Sequence, residues 1–139
     1  MGKEPVRAPE KGTIAMQFMI LMIPAGYRDN TKPKWTTPDP KAMERMGKFN
    51  DRLRKKVRIL SLNGLHPLTS GARLTFSKGT ATLIKGPAVK TKDVLGGYWR
   101  VEAKSQAQLV KLMRGCPAED GDIIEIRKIF SKEDLTPRK

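Results

Sequence analysis

Residues 14–23, Ile-Ala-Met-Gln-Phe-Met-Ile-Leu-Met-Ile, form an apolar run of strand length interrupted only by Gln17, and Pro24 with Gly26 closes it. Such a run predicts a strand covered on both faces. Residues 29–40 carry Pro33, Pro38 and Pro40 without a period and read as a loop. Its end, Pro38-Asp39-Pro40, supplies a helix cap and a first-turn proline. Ala42, Met43, Met46, Phe49, Leu53 and Val57 then recur every three or four residues, which predicts an amphipathic helix. Lys41, Arg45, Lys48, Arg52 and Lys55 fall on its outward side. Gly47 inside it predicts close packing on the sheet or a partner, since glycine there costs about 1 kcal/mol against alanine.

Residues 57–62 alternate loosely into Asn63-Gly64, a second strand. Residues 72–76 and 81–84 read as two strands of a hairpin turning at Ser77-Lys78-Gly79-Thr80. From Gly97 to Lys104 the alternation is strict, with Trp99, Val101 and Ala103 on one side and Tyr98, Arg100 and Glu102 on the other. Ser105 and Gln108 have capping-box spacing, so a second helix runs to Arg114 with Gly115 as its stop. A last strand spans residues 123–130. The order strand, helix, strand, hairpin, strand, helix, strand predicts a ferredoxin-like α+β fold with an added β-hairpin. Its antiparallel sheet carries two helices on one face. The other face then needs cover, and a homodimer is the simplest way to provide it.

Residues 1–12 are rich in proline and charge and predict a disordered tail. The domain is expected over residues 13–131, followed by a charged C-terminal tail at 132–139. At 139 residues and 38% hydrophobic content the chain has enough material for one buried core. No apolar run approaches the roughly 20 residues of a membrane span, so no membrane partner is expected. The N-terminus lacks the pattern of a secretory leader. Cys116 is the single cysteine, which leaves no internal disulfide and fits a reducing, cytoplasmic location.

A net charge of +14 raises the prospect of an anionic partner. The basic residues cluster in residues 41–58 and around the segment that holds Arg73, Lys78, Lys85, Lys90 and Lys92. His66, the one histidine, is the obvious acid or base near neutral pH. Its plainer reading is a packed or capping loop residue. No metal site and no cofactor are expected, because neither a ligand cluster nor a nucleophile motif is present. Arg73, Arg100, Glu102, Glu125 and Arg127 lie on strands and by default pair across the sheet for roughly 0.2–1 kcal/mol each. Cys116 and the methionines read as packing residues.

The segment from Ile84 to Trp99, Ile-Lys-Gly-Pro-Ala-Val-Lys-Thr-Lys-Asp-Val-Leu-Gly-Gly-Tyr-Trp, resembles the signature of the YCII-related (DGPF-domain) family. There an Asp-Gly-Pro-Phe-Ala-Glu stretch precedes a Gly-Gly-aromatic-Trp strand. Met16-Gln17-Phe18-Met19, Met46-Gly47-Lys48-Phe49-Asn50, Gly64-Leu65-His66-Pro67, Gly71-Ala72-Arg73-Leu74, Arg114-Gly115-Cys116-Pro117 and Ile124-Glu125-Ile126-Arg127 follow the family's order. The resemblance implies a dimeric α+β barrel, and it puts His66 at a motif position. In this chain Lys85 replaces the signature aspartate, Ala88 its phenylalanine and Lys90 its glutamate. Lyase-type chemistry using a histidine and an aspartate, assigned within the wider superfamily, is therefore not carried over.

Two functions follow. One is a cavity between protomers that binds a small, anionic ligand, with His66 as the catalytic candidate and Arg73, Lys85, Tyr98, Arg100 and Glu102 as ligand-binding residues; whether it is an enzyme stays open. The other, less favoured, is nucleic-acid or anionic-partner binding through the basic face of the first helix. Only 6% of the residues are aromatic and no base-reading motif is present, so binding of that kind would be salt-dependent and blind to sequence.

Overall fold

A computed structural model describes residues 15–28 and 39–137. Strand β1 spans Met16–Ile23 and ends at Pro24, where a single 3₁₀ turn follows. Helix α1 covers Pro40–Arg54. Its start is the one the sequence predicts: Asp39 Oδ1 accepts from the Lys41 backbone N–H at 3.3 Å, and Pro40 occupies the first turn, where its missing N–H costs nothing. Strands β2 (Arg58–Gly64), β3 (Ala72–Ser77), β4 (Thr80–Lys85) and β5 (Gly97–Ala103) follow, then helix α2 (Gln106–Met113) and strand β6 (Ile123–Lys128). The predicted tail at residues 1–12 and most of the proline-rich loop lie outside the described residues.

Four strands form an antiparallel sheet in the order β2-β5-β1-β6, and among the described residues β3 pairs only with β4. This is the ferredoxin-like α+β plan with a separate hairpin. Register fixes the two faces. Ile20 lies opposite Trp99 and Ile126, and Phe18 opposite Val101 and Lys128. Phe18, Ile20, Trp99, Val101 and Ala103 pack with Phe49 and Leu53 of α1 and Leu109 and Met113 of α2. Both helices therefore cover the same face. Burying each large side chain there contributes roughly 1.5–3 kcal/mol. The one buried polar residue of this core, Asn50, accepts a hydrogen bond from the Trp99 indole N–H at 2.8 Å.

Several expectations need correction. Within one chain, β1 is covered on the helix face only, and Met19 and Leu21 on its other face are half-buried. Val57 is buried but lies beyond the helix, in the turn to β2. Met43 is 56% exposed. Gly47 does not mark a close approach, because a Cβ placed on it would meet nothing within 4 Å. The second helix starts as expected, with Ser105 Oγ accepting from the Gln108 N–H at 3.1 Å. Gln108 Oε1 returns to the N–H of Lys104 rather than to that of Ser105.

The hairpin turns at Lys78 and Gly79, both with positive φ, 50° and 80°. That pair of left-handed residues suits the twist of a two-residue hairpin turn, and glycine takes the second position without steric cost.

Candidate functional site

Tyr98, Arg100 and Glu102 emerge together on the sheet face opposite the helices, as the alternation of β5 requires. Each has a partner on a neighbouring strand. The Tyr98 hydroxyl accepts from Asn63 Nδ2 at 2.9 Å. Arg100 donates twice to Gln17 Oε1, from Nε at 3.2 Å and from Nη2 at 2.9 Å. Glu102 sits 3.8 Å from the Arg58 guanidinium, a loose and partly exposed ion pair. Of the charge pairing expected across the sheet, this pair is the one formed. Arg100 takes a neutral partner, and Glu125 meets Arg127 along its own strand at 4.0 Å.

Gln17, Arg58 and Asn63 join this polar surface, as do Glu125 and Arg127 of β6 opposite Leu21 and Met19, and Gln17, Arg58 and Asn63 did not stand out as site residues in the sequence. The available signal was Gln17 itself, the one polar residue in an apolar strand. Arg58 and Asn63 share the face because β2 shifts register between Ile59 and Ser61, a bulge that no sequence pattern announces.

His66 is exposed and lies just past the end of β2, next to Leu65, whose N–H donates to Gly96 O at 2.9 Å. Since Gly64 pairs with Gly97 and Asn63 with Tyr98, His66 stands at the Tyr98 end of the sheet. Tyr27 reaches the same corner, donating from its hydroxyl to Leu65 O at 2.7 Å. Burial pushes the Tyr27 phenol above its ordinary pKa.

Arg73 and Lys85 belong to the hairpin instead. Both are exposed, and neighbouring positions on a strand point to opposite faces: Lys85 lies across from Ala72, while Arg73 lies across from Ile84. The hairpin base is locked by the glycine of the signature. Gly86 N–H donates to Gly71 O at 2.9 Å, and a Cβ on Gly86 would come within 1.8 Å of the Leu68 carbonyl oxygen. Gly96 packs closely on the Pro24 ring, which a Cβ there would overlap. Gly86 and Gly96 of the segment thus serve close packing, the first on backbone and the second on the Pro24 ring. Its altered positions, Lys85, Ala88 and Lys90, are exposed.

Cys116 is partly buried, and burial together with the Asp122 carboxylate pushes its thiol up to about 11. A thiolate at neutral pH is thereby disfavoured. No group of three or more potential metal ligands occurs among the described residues. A shallow depression along α2, lined by Gln106, Ala107, Val110, Lys111 and Arg114, lies on the helix side and includes none of the candidate residues.

A family model described as the YCII-related domain matches residues 16–133, well over half of the chain. The chain belongs to the YCII-related family. No curated protein matches it. The matched span of this YCII-related domain runs from the first residue of β1 past the end of β6, so it contains the sheet, both helices, the hairpin and the whole open face. No described helix is long and apolar enough to cross a membrane.

Proposed function

We propose that this YCII-related protein is a homodimer that binds a small anionic ligand on the open face of its sheet, where two copies close on each other. The observation that carries the reading is the placement of Arg100. Two of its guanidinium donors are held by Gln17, which fixes the plane of the fork and leaves the remaining donors for a carboxylate or phosphate. Tyr98, Asn63 and the loosely held Arg58 add polar groups on the same face, and Met19 and Leu21 add apolar ground beside them. A few convergent polar groups on an apolar floor is the usual make-up of a small-molecule site. His66, at the rim, is the group that would move a proton if the bound molecule is also turned over. A cytoplasmic, reducing compartment is part of this reading and rests on the single cysteine.

The second reading is a polyanion on α1, favoured by its exposed Lys41, Arg45, Lys48, Arg52 and Lys55. Pairing weakens it: Lys48 meets Glu44 at 3.4 Å and Arg54 meets Asp51 at 3.0 Å.

Thermal melting of wild type, Arg100→Ala and His66→Ala with small carboxylates, phosphates and a short duplex separates the two, because a ligand that binds only the folded state raises the Tm. The first reading expects a salt-tolerant rise with a small anion that Arg100→Ala abolishes. A rise with duplex alone, lost at high salt, would assign the work to α1. A small-anion rise that Arg100→Ala leaves intact would remove the open face as the site.

A further inference from the structure

The β3–β4 hairpin is amphipathic and, among the described residues, pairs with no other strand. Register places Ala72 with Lys85, Leu74 with Leu83 and Phe76 with Ala81 on one face, and Arg73 with the half-buried Ile84, Thr75 with Thr82 and Ser77 with Thr80 on the other. The first face is apolar and uncovered: Leu74 is 55% exposed, Phe76 75% and Leu83 54%. A two-stranded hairpin whose apolar face is left unpacked is marginal in water, and an apolar patch of this kind marks a contact surface.

We propose that this hairpin is an arm that docks on a second copy of the chain, against the start of β6. The inference rests on the homodimer reading above and adds where the arm lands. Charge selects the place. Residues 72–85 carry Arg73, Lys78 and Lys85 and no acid, whereas residues 118–126 carry Glu119, Asp120, Asp122 and Glu125 and no base; Arg127 meets Glu125 and Arg28 donates to Gly121 O, so the charge on offer is chiefly that of Glu119 and Asp120. Glu119, Asp120 and Glu125 are exposed there, beside Ile123 at 42%. In a chain of net charge +14, that acidic rim is where a basic arm meets attraction rather than repulsion.

The sheet geometry permits the contact. Gly64 pairs with Gly97, Gly97 with Met22, and Ile23 with Ile123. The end of β2, from which the arm departs, and the start of β6 therefore lie at the same end of the sheet, on opposite edges. A two-fold axis parallel to the strands keeps that end in common and lays the β2 edge of one copy over the β6 edge of the other. Each arm then reaches the partner's acidic rim, as a closed two-fold contact demands.

Sedimentation equilibrium on the full chain tests this with Leu74→Thr/Phe76→Thr/Leu83→Thr, which keeps strand-forming residues while removing the apolar face. The arm predicts a dimer whose dissociation constant rises roughly tenfold or more in the triple variant, with circular dichroism unchanged. Glu119→Lys/Asp120→Lys should weaken the dimer as well, and Arg73→Glu/Lys78→Glu in the same chain should restore part of the loss. A monomeric wild type would remove the dimer and the arm together. A dimer unweakened by the triple variant would remove the arm alone. A triple variant that dimerises normally but loses binding to neutral phosphatidylcholine vesicles would give the apolar face to a lipid surface and overturn the proposal.

Discussion

On the helix side of the sheet Phe18, Ile20, Trp99 and Val101 are at most 5% exposed, while their chain neighbours Met19, Leu21, Tyr98 and Glu102 on the other side are only half-buried. The same strands build both faces, so backbone hydrogen bonding is shared and only the side chains differ. The helix face is a closed packing problem solved within one chain. The open face mixes guanidinium, carboxylate, phenol and amide groups with methionine and leucine, which is a poor core and a usable surface. Stability in this YCII-related domain thereby rests on one set of alternate residues, and the proposed ligand site on the other.

Unfolding by urea puts that division to its strongest test. Leu53→Ala or Ile20→Ala removes a side chain at most 2% exposed and should cost about 2–5 kcal/mol. Arg100→Ala, on the open face, should cost less than about 1 kcal/mol. Equal losses would erase the contrast. Next in size is Gly86→Ala, expected to cost about 2–3 kcal/mol because the new Cβ meets the Leu68 carbonyl, with Ala88→Phe two positions on nearly neutral since Ala88 is exposed. A neutral Gly86→Ala would show that the signature glycine is not held by packing.

Asn50→Ala leaves the buried Trp99 indole N–H without its acceptor and should cost about 1–3 kcal/mol. Tyr98→Phe, which removes an acceptor on the half-buried face, gives the matching small effect. The smallest effect concerns Cys116. Its pKa is raised on folding from the ordinary value of 9.0 to about 11, so between these values the native state holds more protons than the unfolded one. Stability falls as pH rises through that window and is unaffected below it. Alkylation of the native thiol at mildly alkaline pH should accordingly be slower than in denaturant, and equal rates would contradict its burial.

Much of the fold was legible in the sequence because it is governed by local rules. The caps at Asp39 and Ser105, the alternation from Gly97 to Ala103 and the hairpin follow from neighbours in sequence. Positions decided by tertiary contact were not legible. Val89 and Val94 are buried at 4% and 5% in a loop without periodicity. Gly47 looked like a packing glycine and faces open space. The make-up of the open face was half legible for the same reason: alternation places Tyr98, Arg100 and Glu102 together, but Gln17, Arg58 and Asn63 join them only through strand register and a bulge. Arg73 and Lys85 were grouped with them by motif, and the hairpin puts them on an element of its own.

The most direct test of the central claim is to follow backbone amide chemical shifts during titration with small carboxylates and phosphates at moderate salt. Saturable changes are expected at Gln17, Tyr98, Arg100 and the segment around His66, with residues 41–56 unmoved. Changes confined to residues 41–56, or none anywhere, would contradict it.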